Sequence, residues 1–214
     1  VSRLNDSNEH SLFAALKYPS LTELICQSVD SYSSFCRMLA VTNCLGQTVI
    51  HYACEKGYLE GLLVIVRTVH DLGIPTVGLT VVDDTLTKLL NEYDVLNGLA
   101  PIHIAVLKGH KKVVKYLALS SQVDIDIQEV KFGDTALHMA IQERMDEICE
   151  ILIHLGKANT KVKNGRKESC KRLSDRTDFT LPQSEKGGKR LSLQSVTRST
   201  SNLFRSKSGL NFFE

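Results

Sequence analysis

The sequence predicts an all-α fold: a solenoid of stacked helix-turn-helix repeats that ends in a basic tail without regular structure. Three observations carry this. One block of eight residues occurs three times with the same internal spacing, as Gly46-Gln47-Thr48-Val49-Ile50-His51-Tyr52-Ala53, as Gly98-Leu99-Ala100-Pro101-Ile102-His103-Ile104-Ala105 and as Gly133-Asp134-Thr135-Ala136-Leu137-His138-Met139-Ala140. The copies are 35 residues apart from His103 to His138 and 52 apart from His51 to His103, one repeat plus an insertion. Periods of about 20–50 residues mark arrays in which each unit buries its apolar face only against its neighbours. A second apolar segment follows each block, with Leu62, Leu63, Ile65 and Val66 in the first, Val113, Val114 and Leu117 in the second, and Leu152, Ile153 and Leu155 in the third.

These residues resemble the ankyrin repeat, whose pattern runs Gly, any residue, Thr-Pro-Leu-His, any residue, Ala, then Gly four residues on and an apolar second helix. Thr48, Thr135, Pro101, Leu137 and the three histidines stand where that pattern wants them, and Gly57 and Gly109 fall at the later glycine. The resemblance covers residues 8–164 and implies a curved array with turn tips along one edge.

Residues 8–40 read as a degenerate first repeat. His10-Ser11-Leu12-Phe13-Ala14-Ala15 carries Phe13 in the histidine slot and Ala15 in the alanine slot, and Leu21, Leu24 and Ile25 keep the offsets that Leu59, Leu62 and Leu63 keep after Ala53. End repeats are atypical because one face meets water. Residues 43–70 form the first clear repeat. Gly46 supplies a tight turn, Thr48 caps a short helix to Lys56, and Gly57 ends it in a left-handed conformation. Neither short helix would hold alone. Residues 71–93 are an insertion with an irregular start at Gly73, Pro75 and Gly78 and a helix around Leu86, Leu89 and Leu90. Residues 94–127 and 131–163 are the two further repeats; in the last, Arg144 replaces the glycine between the helices, which predicts a turn that is looser or differs by one residue. A further copy starts at Lys163-Asn164-Gly165, but no apolar helix is legible after it.

Residues 165–214 change character. Serine, threonine and basic residues dominate, and the apolar residues lack a period, the composition of a disordered segment. Thirteen Lys and Arg against five Asp and Glu fall in 161–214, a balance of +8, which leaves −6 on the first 160 residues. An acidic body thus carries a basic tail, a division that points to separate partners or to a tail that folds back on the body. Ser174 and Ser192 follow basic pairs and are candidate phosphorylation sites; Arg166-Lys167 and Lys171-Arg172 have the form of a split nuclear-import signal.

The chemistry of an enzyme is not legible. There is no phosphate-binding glycine loop, no Gly-x-Ser-x-Gly elbow and no nucleophile with a base. His51, His103 and His138 sit one repeat apart, roughly 10 Å per layer, a helix diameter, whereas metal ligands need bonds near 2 Å. No metal, cofactor or small-molecule substrate is implied. The six cysteines include no Cys-x-x-Cys pair and read as reduced. No run of about 18 apolar residues would span a membrane. The tail's few phenylalanines lie apart from most of its cations, which argues against direct nucleic-acid binding.

Within the ankyrin class, two stretches are similar to the inhibitor-of-NF-κB (IκB) family: Ile127-Gln128-Glu129 with Gly133-Asp134-Thr135-Ala136-Leu137-His138, and His51-Tyr52-Ala53-Cys54-Glu55-Lys56-Gly57. The resemblance implies a protein partner, a Rel-homology (NF-κB) dimer whose DNA binding or nuclear import would be restrained, and a cytoplasmic or nuclear location. The partner would meet the turn tips Leu45, Gln47, Leu99, Phe132 and Asp134 and the ends of the first helices at Glu55, Lys56, Lys108 and Glu143. An ankyrin scaffold for an unrelated protein partner is the alternative. The departures from IκB are at most four or five repeats instead of six or more, no Asp-Ser-Gly degradation signal before them, and a basic instead of an acidic tail.

Overall fold

A polar side chain ties down the turn that opens each repeat. Asn43 Oδ1 accepts hydrogen bonds from the N–H groups of Leu45 and Gln47, Asp94 Oδ1 from Leu99, Glu129 Oε1 from Phe132 and Asp134, and Asn164 Oδ1 from Arg166 and Glu168. The backbone N–H of the same four residues donates across the turn to the carbonyls of Gln47, Leu99, Asp134 and Glu168. The chain leaves the turn through one left-handed residue, Gly46, Gly98 or Gly133, with φ of 67°, 68° and 67°. A helix begins three residues later.

The computed structural model describes residues 11–29, 31–72 and 81–182. Among them the helices are α1 (Ser11–Ala15), α2 (Pro19–Gln27), α3 (Tyr32–Leu39), α4 (Val49–Lys56), α5 (Leu59–Leu72), α6 (Val81–Asn91), α7 (Pro101–Leu107), α8 (Lys111–Leu119), α9 (Ala136–Gln142), α10 (Asp146–Glu150), which runs on as a π-helical turn (Ile151–Leu155), and α11 (Cys170–Thr177). The described residues form no strand, only the isolated bridges Gln128–Thr135 and Lys163–Ser169. This is an all-α ankyrin solenoid. None of these helices is long and apolar enough to cross a membrane.

The first helices α1, α4, α7, α9 and α11 stack in that order, and the second helices lie behind them, α2 on α5 and α8 on the π-helical turn. Each first helix is too short to be stable alone. Burial of Ile50, Ile102 and Leu137 against the next layer, with Leu62, Val114, Leu117 and Leu152 from the second helices, supplies what is missing. Helix α6 of the insertion packs on α5 and α7 through Leu86, Leu89 and Leu90, where those three leucines predicted a helix; Gly73, Pro75 and Gly78 lie outside the described residues.

Four turns between first and second helices, or after the last first helix, use one conformation. Gly57 (φ 73°), Gly109 (φ 70°), Arg144 (φ 54°) and Asp178 (φ 51°) are all left-handed. The N–H of each following residue closes the turn on the residue five back, Tyr58 on Ala53, His110 on Ala105, Met145 on Ala140 and Phe179 on Ser174, at 2.9–3.1 Å. The Arg144 turn is therefore not looser. Arginine bears a left-handed strain of about 1–2 kcal/mol, and its guanidinium donates to the carbonyl of Thr177 at 2.6 Å, a bond glycine could not make.

Two further expectations need correction. In the first repeat, Thr22 and Cys26 are the buried residues of α2, while Leu21 and Leu24 face water. Helix α2 starts four residues after Ala15, whereas α5 starts six after Ala53. That two-residue difference turns the helix by about 200°, so sequence offsets counted from the alanine select the wrong face. An added helix, α3, then packs on α5, its N-terminus capped by Ser31, which accepts from the Ser34 N–H. The second correction concerns residues 165–182, expected to lack structure. They hold a fourth hairpin and α11, which packs on α9. Their slots match the earlier repeats: Lys167 (φ 61°) at the glycine, Ser169 at the cap, Ser174 at the alanine and Asp178 at the turn. Residues 183–214, with Ser192, lie outside the described residues.

Candidate protein-binding surface

The three repeat histidines join one layer to the next. In each, Nδ1 accepts from the backbone N–H three residues earlier, of Thr48, Ala100 and Thr135, at 3.1–3.3 Å. The threonine hydroxyls add contacts of 2.7 and 2.8 Å to His51 and His138. With Nδ1 accepting, Nε2 carries the proton and donates to a carbonyl of the following layer: His51 to Glu92 at 2.9 Å, His103 to Ile127 at 3.0 Å and His138 to Glu168 at 3.1 Å. Burial lowers all three pKa values, that of His103 to about 4, so the rings are neutral at pH 7. They serve the stack and do not face a partner. His110 makes a further clasp, its Nε2 reaching the Glu55 carbonyl of the preceding repeat at 2.8 Å.

The hairpin tips form a row through backbone bonds. Val95 N–H donates to Gly46 O at 3.0 Å, Val130 N–H to Gly98 O at 3.1 Å and Gly165 N–H to Phe132 O at 2.7 Å. A β-carbon on Gly46 would lie 2.7 Å from Val95 Cβ, and one on Gly98 2.6 Å from Val130 Cβ, so glycine is needed at both places for close approach as well as for φ. The row exposes a run of apolar side chains: Leu45 at 49 %, Val95 at 74 %, Leu96 at 57 %, Val130 at 67 % and Phe132 at 58 %. Its far end is cationic, with Lys131, Arg166 and Lys167 exposed and in no ion pair among the described residues.

Of the residues assigned to a partner from sequence, Leu45 and Phe132 stand on this row, and Lys56, Lys108 and Glu143 are exposed at the ends of the first helices. Gln47 and Asp134 are not tips. Both are buried and brace their own repeats: Gln47 Nε2 donates to Glu55 Oε2 at 2.7 Å, and Asp134 accepts from Gln142 at 3.1 Å and from Asn164 at 2.7 Å. Glu55 is the half-buried end of that brace. Burial pushes its pKa up, but hydrogen bonds from Gln47 and Lys56 outweigh this and leave it lowered; Lys56 is correspondingly raised, chiefly by its hydrogen bond to Glu55. Leu99 is half-buried and packs on the core.

Val95, Leu96 and Val130 were missed. They lie in Asp94-Val95-Leu96-Asn97 and Glu129-Val130, where the residue after an acidic hairpin opener points outward, a signal that the repeat alignment contains but that apolar character disguises as core. Ser174, read as a phosphorylation candidate, is buried in the alanine slot and its hydroxyl donates to the carbonyl of Phe179, so a kinase could reach it only after α11 opens. The thiols of Cys54, Cys149 and Cys170 are buried, which pushes their pKa values up to about 12 and keeps them protonated; Cys44, beside Leu45, is exposed.

Residues 80–164 match the family model for ankyrin repeats, which comprises three copies. No curated protein matches the chain. Ankyrin repeats are protein-interaction modules and are typically not catalytic.

Proposed function

We propose that this ankyrin array is the protein-binding module of an IκB-like regulator and that its hairpin tips and the ends of its first helices receive a Rel-homology dimer. One observation carries the binding surface: five large apolar side chains stand largely in water along one row of hairpin tips. A contiguous apolar patch on an exposed face is the ordinary mark of an interface. The Rel-homology partner rests on the two stretches similar to IκB, around His51–Gly57 and Ile127–His138. The acidic first 160 residues complement a basic partner surface. Capture would restrain DNA binding or nuclear import, and the protein would act in the cytoplasm or nucleus.

The test is binding of the full chain to a purified Rel-homology dimer, with duplex DNA as competitor. Sub-micromolar binding that DNA displaces is expected, weakened about tenfold or more by Leu96→Ser with Phe132→Ser, as apolar anchors at an interface centre behave. Absence of binding by a chain with helical circular dichroism would remove the Rel-homology partner. The general scaffold reading is favoured by the cationic rather than acidic C-terminal end, and it predicts capture of another protein through the same tips.

A further inference from the structure

The tip row has a polarity that neither the repeat fold nor its packing requires. It opens with Leu45, continues through Val95 and Leu96 to Val130 and Phe132, and ends at Arg166 and Lys167. The hydrogen bonds between successive tips hold these groups in line. Among the described residues, the carboxylates close to the cationic end are engaged elsewhere: Asp134 is buried beneath the row with both carboxylate oxygens hydrogen-bonded, Glu129 spends its carboxylate on its own turn, and Glu168 is paired with Arg176 at 3.2 Å.

We infer that the row is a track for one extended segment of a partner protein, apolar along its length and acidic where it passes the fourth hairpin. Layers of helices recur at about 10 Å, and an extended chain in the polyproline II conformation advances about 3.1 Å per residue and brings every third side chain to the same face. An occupant therefore presents a side chain to a new tip every third residue, and about nine residues reach from Leu45 to Arg166. Its carboxylates meet Lys131, Arg166 and Lys167. Charge complementarity selects the acidic end, and the apolar tips select a polypeptide over a nucleic acid, whose phosphates would find no partner on Leu45, Val95 or Leu96. The inference rests on the tips being the contact surface, as proposed above, and not on the identity of the partner.

The experiment measures fluorescence anisotropy of the full chain with a labelled peptide of about twelve residues that carries leucine at every third position and ends in four glutamates. A second peptide ends in four lysines, and generic duplex DNA is the third probe. The chain is compared with Arg166→Glu/Lys167→Glu and with Val95→Ser/Phe132→Ser; all four positions are exposed, so the variants fold, and circular dichroism checks this. The expected result is binding of the glutamate peptide at least about tenfold tighter than the lysine peptide, a preference reversed by the double glutamate variant and binding lost in the double serine variant. Because both arms share residues 183–214, the reversal cannot come from the tail. Equal binding of the two peptides, or no response to charge reversal, would overturn the inference while leaving capture of a Rel-homology dimer through Leu96 and Phe132 standing. DNA binding that disappears in the glutamate variant, without peptide binding, would overturn it in favour of a nucleic-acid surface.

Discussion

The repeat that opens at Asp94 and the half-repeat that opens at Asn164 share a backbone and almost no sequence. Both begin with a side chain that caps the hairpin, pass through a left-handed residue (Gly98, Lys167), start a helix from an extended residue (Ala100, Ser169), place a small buried residue five positions on (Ala105, Ser174) and leave through a second left-handed residue (Gly109, Asp178). They differ in what faces the next layer. Ile102 and His103 are fully buried; Lys171 and Arg172, at the same positions, are exposed. Hairpin, cap and turn are thus local requirements, while the apolar and histidine signature belongs to the interface with a following repeat. Among the described residues, Lys171 and Arg172 give this unit the polar outer face that capping repeats carry.

If that division is right, the same position should matter greatly in one unit and hardly at all in the other. His103→Ala removes the acceptor for Ala100 N–H and the donor for Ile127 O and leaves a cavity in a buried layer. The expected loss is about 3 kcal/mol. Arg172→Ala should change stability by less than about 0.5 kcal/mol. Urea unfolding of the two variants decides it, and equal losses would break the comparison.

Acid should act on the same column. The folded pKa of His103 is about 4 and lies below the ordinary value of 6.5, so the unfolded chain binds the proton first. Its stabilising share is present above pH 6.5 and fades as the pH falls from there toward 4. Between pH 7.5 and 4.5 His103 alone should account for a loss of about 2.5 kcal/mol, with His51 and His138 acting in the same direction. Urea midpoints measured across that range, with His103→Gln as the reference, give the difference; a variant that keeps the full pH dependence would shift the effect elsewhere.

The three central repeats were legible because each carries glycine, histidine and alanine at fixed spacing, two of them with threonine in the cap slot. Residues 165–182 were not, because each signature position is filled by a residue that can do the backbone's work without the family's letter: lysine and aspartate accept the left-handed conformation, serine caps and serine fills the alanine slot. Composition then argued for disorder. The site was half legible. Phe132 and Leu45 could be placed by counting from the glycine, but Gln47 and Asp134, one residue past it, turn inward onto Glu55 and Gln142, a pairing eight residues apart that no local period announces.

A small expected gain sharpens the comparison most. Lys167 stands in the slot of Gly98 with φ 61°. An L-residue there costs about 1–2 kcal/mol in backbone strain, partly offset because glycine gives the unfolded chain more freedom to lose. Lys167→Gly should therefore raise stability by about 0.5–1 kcal/mol, read as a higher urea midpoint. The reverse change, Gly98→Lys, meets Val130 as well as the strain and should lower stability by more than Lys167→Gly gains. If Lys167→Gly gains nothing, the fourth hairpin is not held to the conformation of the other three, and the local rules deduced from the central repeats stop at residue 164.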